Sequence, residues 1–275
     1  MTGAGAVPLR IALYCLLAVL GAFFAIPLLW LLLAAFNPRA SSGLEVPASP
    51  TLQNFAGVFA NSLAVRGLLN SVILAVGTML LVTLSSTLAA YALSRARVPY
   101  YGALTYGLIL FSSVVSGTAA IVPLFLLANA LHLIDTHLGV ILVFTGGFLP
   151  AAIFILRDFV DGLPRSFEEA ALVSGAGPWR LFVDVVMPLL RPGMMVVAIW
   201  TFVNVWGAFL APFVLLRNQD YQPGSIAIYS FYTEGGDPIL PLTAAYSLLY
   251  ALPVVALYLF VNWRYGFRFF GGIKG

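Results

Sequence analysis

Long apolar runs alternate with short polar segments that carry arginine, and six of the runs are long enough to cross a bilayer as helices of about 20 residues. The first, Ile11 to Phe36, follows Arg10 and holds no charge; Pro27 inside it predicts a kink. A cleaved signal peptide has an apolar region of only about 7 to 15 residues, so this longer run reads as a first span. The others are Gly67 to Ser94, Tyr100 to Leu131, Leu138 to Leu156, Gly193 to Leu216 and Ile239 to Trp263. Asn37 to Arg66, with its prolines, serines and two apolar-aromatic patches, is expected outside the bilayer, partly as short interfacial helix. His132 to His137 makes a short turn, and Arg217 to Pro238 a polar loop. The expected fold class is all-α: a polytopic membrane protein with an N-terminal span and external segment (1–66), a five-helix core (67–263) carrying a polar loop at 161–192, and a basic tail (264–275).

The loop after the fourth span has its own local code. Ser166 followed by Glu169 has the spacing of a capping box, which predicts a helix starting at Ser166. Gly175 suits the left-handed residue that ends a helix, and Pro178 the first position of the next one. The expected form is two short helices about a Gly-Ala-Gly turn. Ala170 and Ala171 carry so little side chain that another protein can approach the backbone there.

Charge orients the chain. Arg10, Arg95, Arg97, Arg157, Arg165, Arg180, Arg191, Arg264, Arg268 and Lys274 fall on one side of the six spans, against Arg39, Arg66 and Arg217 on the other. Cytoplasmic loops hold the excess of Lys and Arg, so both termini and the 161–192 loop are expected to be cytoplasmic.

With 61% hydrophobic and only 8% charged residues, the chain lies far from the roughly one-quarter charged content of soluble domains. A net charge of +3, scattered over loops, does not suggest nucleic acid. The single cysteine, Cys15, allows no intrachain disulfide and no Cys-based metal site. His132, Asp135 and His137 read as a solvated loop rather than a metal site. A phosphate-binding P-loop needs Gly-Lys-Ser/Thr, and the only lysine, Lys274, precedes Gly275, so no ATPase site is expected here. Asp158 and Asp161 have the i, i+3 spacing of a carboxylate pair, yet no second acidic motif completes an enzyme site. The spans as drawn contain no Asp, Glu, Lys or Arg. That argues against a proton-coupled carrier, which keeps ionisable relays in the membrane, while a sodium-coupled one stays open.

An uncharged path suits a neutral polar solute. Ser112, Ser113, Ser116, Thr145, Asn204, Trp206, Tyr246 and Ser247 lie within the spans; hydroxyls and amides can bond sugar hydroxyls, and aromatic rings can cover a pyranose face. Ser113, Thr145, Asn204, Trp206 and Tyr246 form the candidate substrate path, led by Asn204 and Tyr246. The competing reading is helix packing by the small polar residues and interfacial anchoring by the aromatics.

Glu169-Ala170-Ala171, three residues, Gly175, nine residues, then Val185-Val186-Met187-Pro188 resembles the EAA loop of ABC importer permeases. Ser174 stands where many members have Asp, and Val-x-Met-Pro replaces Ile-x-Leu-Pro. Pro50 to Phe55, Asn70-Ser71, Pro123-Leu124-Phe125, Leu133 to Thr136 and Gly271 to Gly275 are similar to carbohydrate importer permeases of the maltose type. Trp206-Gly207-Ala208-Phe209-Leu210 departs from the usual Trp-Asn-Glu-Phe-Leu. The resemblance implies the type I ABC importer permease fold in a bacterial or archaeal cytoplasmic membrane. It implies coupling to an ATPase dimer through Ser166, Phe167, Glu168, Glu169, Ala170, Ala171, Leu172 and Gly175. ATP and Mg would bind on that ATPase, with no cofactor on this chain. A second homologous permease, most simply in a heterodimer, and an extracytoplasmic solute-binding protein would complete the machine. The implied cargo is a mono-, di- or oligosaccharide or related polyol or glycoside; the alternatives are a secondary carrier, or an ABC permease for a non-sugar solute.

Overall fold

A computed structural model describes residues 6–95, 107, 110 and 120–265. In chain order its helices are α1 (Ala6–Ala35), α2 (Gln53–Ala60), α3 (Ser62–Arg95), α4 (Ile121–Ala130), α5 (His137–Asp161), α6 (Ser166–Val173), α7 (Pro178–Trp206), α8 (Leu210–Leu215), α9 (Gly224–Ala227) and α10 (Leu240–Tyr265). Among the described residues the β-structure is one isolated bridge, Tyr232 to Pro238. Among the described residues five helices, α1 (from Ala12), α3, α5, α7 and α10 (to Trp263), are long and apolar enough to cross a membrane. Of the expected third span, α4 is the described end; residues 100–106, 108, 109 and 111–119, with Ser112, Ser113 and Ser116, lie outside the described residues.

Two expectations change in the fifth span, both through proline. The helix after the Gly-Ala-Gly turn is not short: it runs from Pro178 to Trp206, through a π-helical stretch at Leu181–Val186. Pro188 has no N–H for the Asp184 carbonyl, and the Met187 N–H reaches five residues back to Phe182. The span also ends at Trp206 rather than Leu216, with the separate helix α8 beginning at Leu210. Pro212 cannot donate to the Ala208 carbonyl; the Ser225 hydroxyl does so instead, at 2.8 Å.

The chain divides into two compact units, one drawn from Met1–Val65 and Ile228–Gly275, the other from Arg66–Ala227. In the first, α1 and α2 pack on α10. The buried Asn54 amide donates to the carbonyls of Ala35 (2.9 Å) and Asn37 (3.2 Å), closing the end of α1, while Phe55 meets Phe36 at 5.2 Å between ring centroids. The Pro50–Phe55 stretch is therefore a clasp on the first span.

In the second unit, Val82 and Ala90 of α3, Ala152, Leu156 and Val160 of α5, and Leu181, Phe182, Val186, Leu190 and Val197 of α7 form one buried cluster. Lipid is as apolar as leucine, so close packing rather than transfer from water holds such helices together. The 215–224 loop is tied down by polar side chains. The Asn70 amide donates to the carbonyls of Asp220 (2.8 Å) and Gln222 (3.0 Å), and the Ser71 hydroxyl accepts from the Gly224 N–H (2.9 Å). Asp135 accepts from the backbone N–H groups of Arg217 (2.5 Å) and Asn218 (2.8 Å), and the Arg217 guanidinium lies 4.8 Å from the Phe125 ring centre. Asn70→Ala leaves two carbonyls without this donor, at a cost of about 1–3 kcal/mol. Limited proteolysis of the purified protein is expected to cut at 217–224 sooner in the variant; equal cleavage rates would count against the tie.

Candidate functional site

Helix α6 in the 161–192 loop is defined by its two ends. It begins at Ser166 as the spacing predicts, but the capping box does not form. Pro164 starts the turn early: Arg165 already has helical angles (φ −62°, ψ −21°) and occupies the cap position, Ser166 is the first helical residue, and no side chain caps the helix. Backbone bonds close this turn instead, from Phe167 N–H to the Pro164 carbonyl (3.4 Å) and from Glu169 N–H to that of Arg165 (2.9 Å).

The other end follows the sequence. Gly175 has φ +82°, its N–H donates to the Leu172 carbonyl (3.0 Å), and the Ala176 N–H donates to that of Ala171 (3.0 Å). These are the two bonds of a Schellman turn. Pro178 then occupies the first turn of α7.

One face of α6 is turned toward the rest of its unit. Glu168 and Ala171, three residues apart and hence on one face, point inward, and Ala171 packs on the buried cluster. The Arg95 Nε donates to Glu168 Oε1 at 2.8 Å, and Nη2 lies 2.6 Å from the same oxygen. The Tyr91 hydroxyl donates to Oε2 at 3.0 Å. The two charged side chains are only 16% and 13% exposed. Arg95 Nη2 also donates to the carbonyls of Val160 and Leu163, 3.3 Å each, at the end of α5. Beside it the Ser94 hydroxyl donates to Asp161, which pairs with Arg157 at 3.2 Å. Asp161 is thus tied by polar contacts to α3 and to its own helix.

The remaining faces look outward. Ser166, Glu169, Ala170 and Gly175 are exposed, and so are Phe167 (51%), Leu172 (53%), Val173 (91%) and Trp179 (69%). Four large apolar side chains in solvent on a polar loop make a surface suited to a partner. Ala170 belongs to that surface; Ala171 does not.

A model of the family described as the inner membrane component of binding-protein-dependent transport systems matches residues 4–267. The chain belongs to this family. It is similar to the diacetylchitobiose uptake system permease protein of Streptomyces coelicolor, 35% identical over 75% of this chain and 69% of that one. It is also similar to two Bacillus subtilis proteins, each 30% identical. These are the maltodextrin transport system permease protein (97% of this chain, 96% of that one) and the galactooligosaccharides transport system permease protein (95% and 94%). A chain in the crystal structure of a bacterial ABC transporter that imports the acidic polysaccharide alginate shares the fold, with a TM-score of 0.83 over 96% of this chain and 99% of that one at 18% identity. This permease is accordingly a membrane component of a transport system, with the all-α fold of ABC importer permeases.

The candidate substrate-path residues of the permease separate. Tyr246 is fully buried, with ring centroids 5.4 Å from Phe231 and 6.3 Å from Tyr250, and Trp206 is buried and stacked on Phe202 at 5.4 Å. Thr145, half-buried, donates to the Ile141 carbonyl one turn back (2.7 Å). Asn204 is exposed on α7, its amide donating to the Trp200 carbonyl (2.7 Å). Ser113 lies outside the described residues. Sequence reasoning passed over Tyr91 and read Arg95 only as a span boundary; Asp135 lies inside the Leu133 to Thr136 resemblance but was read as a solvated turn residue, with nothing in the sequence to show that it reaches the N–H groups of Arg217 and Asn218.

Proposed function

We propose that this permease imports an oligosaccharide or related neutral glycoside, delivered by an extracytoplasmic solute-binding protein and driven by a separate ATPase dimer that binds ATP and Mg. The observation that carries the cargo is the agreement of three relatives whose names specify diacetylchitobiose, maltodextrin and galactooligosaccharides. The apolar runs between the polar segments carry no charge, which supports a neutral solute. The arginine distribution supports cytoplasmic termini and a cytoplasmic α6, facing the ATPase. A second homologous permease, in a heterodimer, supplies the other half of the path.

Transport in this reading is alternating access. ATP closes the ATPase dimer, and α6 carries that motion into the spans. Phe167 and Leu172 seat in an apolar groove of the ATPase, Glu169 meets it at the rim, and Ala170 allows close approach. Ser166 and Gly175 bound the docking helix. Asn204, with Thr145 less exposed, is the polar group offered to the solute.

The test is uptake by the assembled transporter in proteoliposomes with ATP inside and the binding protein outside, using labelled chito-, malto- and galactooligosaccharides. ATP-dependent accumulation of at least one is expected. Asn204→Ala should weaken apparent affinity about fivefold, the worth of one hydrogen bond near 1 kcal/mol. Uptake that ignores ATP, or competes with none of the sugars, would contradict the reading.

A further inference from the structure

The geometry points to Arg95 as a positioning residue that couples the docking helix α6 to the second span, with Glu168 as its handle. This rests on the proposal that α6 docks on the ATPase. Two of the connections of α6 are covalent: residues 162–165 lead to α5, and the turn at Gly175 leads into α7. Motion of α6 therefore reaches the fourth and fifth spans along the chain. No covalent link that short leads to α3, and the joint there is made by side chains.

That joint has an unusual division of labour. Both Arg95 nitrogens that face Glu168 use one carboxylate oxygen, which leaves the other for the Tyr91 hydroxyl, so two residues of α3 one turn apart grip one residue of α6. The same guanidinium also donates to the carbonyls of Val160 and Leu163 at the end of α5. The Tyr91 ring packs on Phe182 of the π-helical stretch, 5.5 Å between centroids. The ends of three spans thus meet the docking helix at one largely buried ion pair. Charged groups with this little exposure are held in one geometry, because separating them leaves each largely desolvated without its partner. A rigid joint of this kind passes on displacement, where a solvated pair would slip.

Lysine cannot replace the arginine. A single ammonium can meet Glu168, but it lacks the planar fork that reaches the carboxylate and two carbonyls at once. Arg95→Lys is therefore the conservative variant, Arg95→Met and Glu168→Gln the severing ones.

The experiment compares these chains in the assembled transporter, reading solute moved per ATP hydrolysed in proteoliposomes beside the amount of ATPase recovered. Glu168→Gln and Arg95→Met are expected to keep the ATPase bound and turning over while the ratio falls at least about tenfold, within the usual range of coupling between sites; Arg95→Lys falls between them and the natural chain. An unchanged ratio in both severing variants overturns the proposal. Backbone hydrogen exchange on the natural complex gives a reading that does not depend on any variant folding. On trapping the ATP-bound state, amides of 88–95 and 166–173 are expected to change protection together. A response at 166–173 with none at 88–95 overturns the coupling while leaving ATPase docking intact. Silence at both segments overturns the docking reading and the proposal with it.

Discussion

The Gly139→Ala chain is expected to accumulate in the membrane far below the natural level and to aggregate early on heating. Gly139 is buried in the first turn of α5, where a Cβ would lie 2.3 Å from the Leu133 carbonyl oxygen and 3.0 Å from the Leu133 Cβ. The obstacle is backbone, so no side-chain rotation relieves it. That backbone is already committed: the Thr136 hydroxyl donates to the Leu133 carbonyl (2.7 Å) and accepts from the Gly139 N–H (3.1 Å). His132 and Asp135 both hold positive φ, 54° and 58°, in the same turn. Such conformations persist only while their surroundings enforce them. Lifting the turn also withdraws Asp135 from the N–H groups of Arg217 and Asn218. Overpacking alone costs about 1–3 kcal/mol, and the lost turn adds to it. Gly146→Ala is the control, because that glycine lies in the same helix with nothing within 4 Å of its would-be Cβ. Membrane yield and thermal aggregation of the two variants should differ widely; matched behaviour would show that the turn yields without cost.

Gly175→Val is expected to remove ATPase binding while leaving the chain in the membrane. At φ +82° a residue with a Cβ costs roughly 1–2 kcal/mol, and a β-branched one more. Nothing stands within 4 Å of the position, so the penalty is conformational and not steric crowding by neighbours. Relief comes only by giving up the bonds from Gly175 to Leu172 and from Ala176 to Ala171, which fix the direction in which the chain leaves α6. The exposed Trp179 then loses its fixed position relative to α6. Asn tolerates the left-handed region, so Gly175→Asn should bind nearly as the natural chain does. The check is ATPase recovered with each purified variant, expected to fall at least about tenfold for Val, the effect of about 1.4 kcal/mol. Equal recovery for Val and Asn would mean that the left-handed turn is not what presents the docking helix.

Most of the fold was legible because a bilayer leaves few choices. Backbone groups must be paired within the segment, so an uncharged run of sufficient length becomes a helix, and α1, α3, α5 and α10 lie close to where the runs lie. Gly175 and Pro178 were legible for a similar reason, each suited to a position few other residues fit. The fifth span was misjudged because hydropathy does not register a missing N–H. Leu210 to Leu216 is as apolar as the helix before it, yet Pro212 breaks the ladder and Ser225, thirteen residues on, repairs it. The capping box failed at another proline: the turn after Pro164 puts Arg165 in the cap position with helical angles, so Ser166 is the first helical residue and not the cap.

In the candidate site, residue type was readable and direction was not. The run Glu168-Glu169-Ala170-Ala171 names four residues of one helix of the 161–192 loop, but a helix alternates faces along its length, and α6 turns Glu168 and Ala171 inward and Glu169 and Ala170 outward. Only the position of Arg95, at the far end of another span, decides which glutamate is which. Tyr246 and Trp206 failed to reach a surface because aromatic size favours packing as much as sugar contact, and their neighbours Phe231 and Phe202 are themselves aromatic.

The most direct measurement is recovery of the chain from its native membrane after mild solubilisation, with ATPase activity assayed on whatever accompanies it. An ATPase and a second permease coming down with the chain, hydrolysing ATP faster when the binding protein and its sugar are added, is the expected result. A chain that comes down alone, and whose solute uptake survives ATP depletion, would contradict the importer reading and make it a secondary carrier.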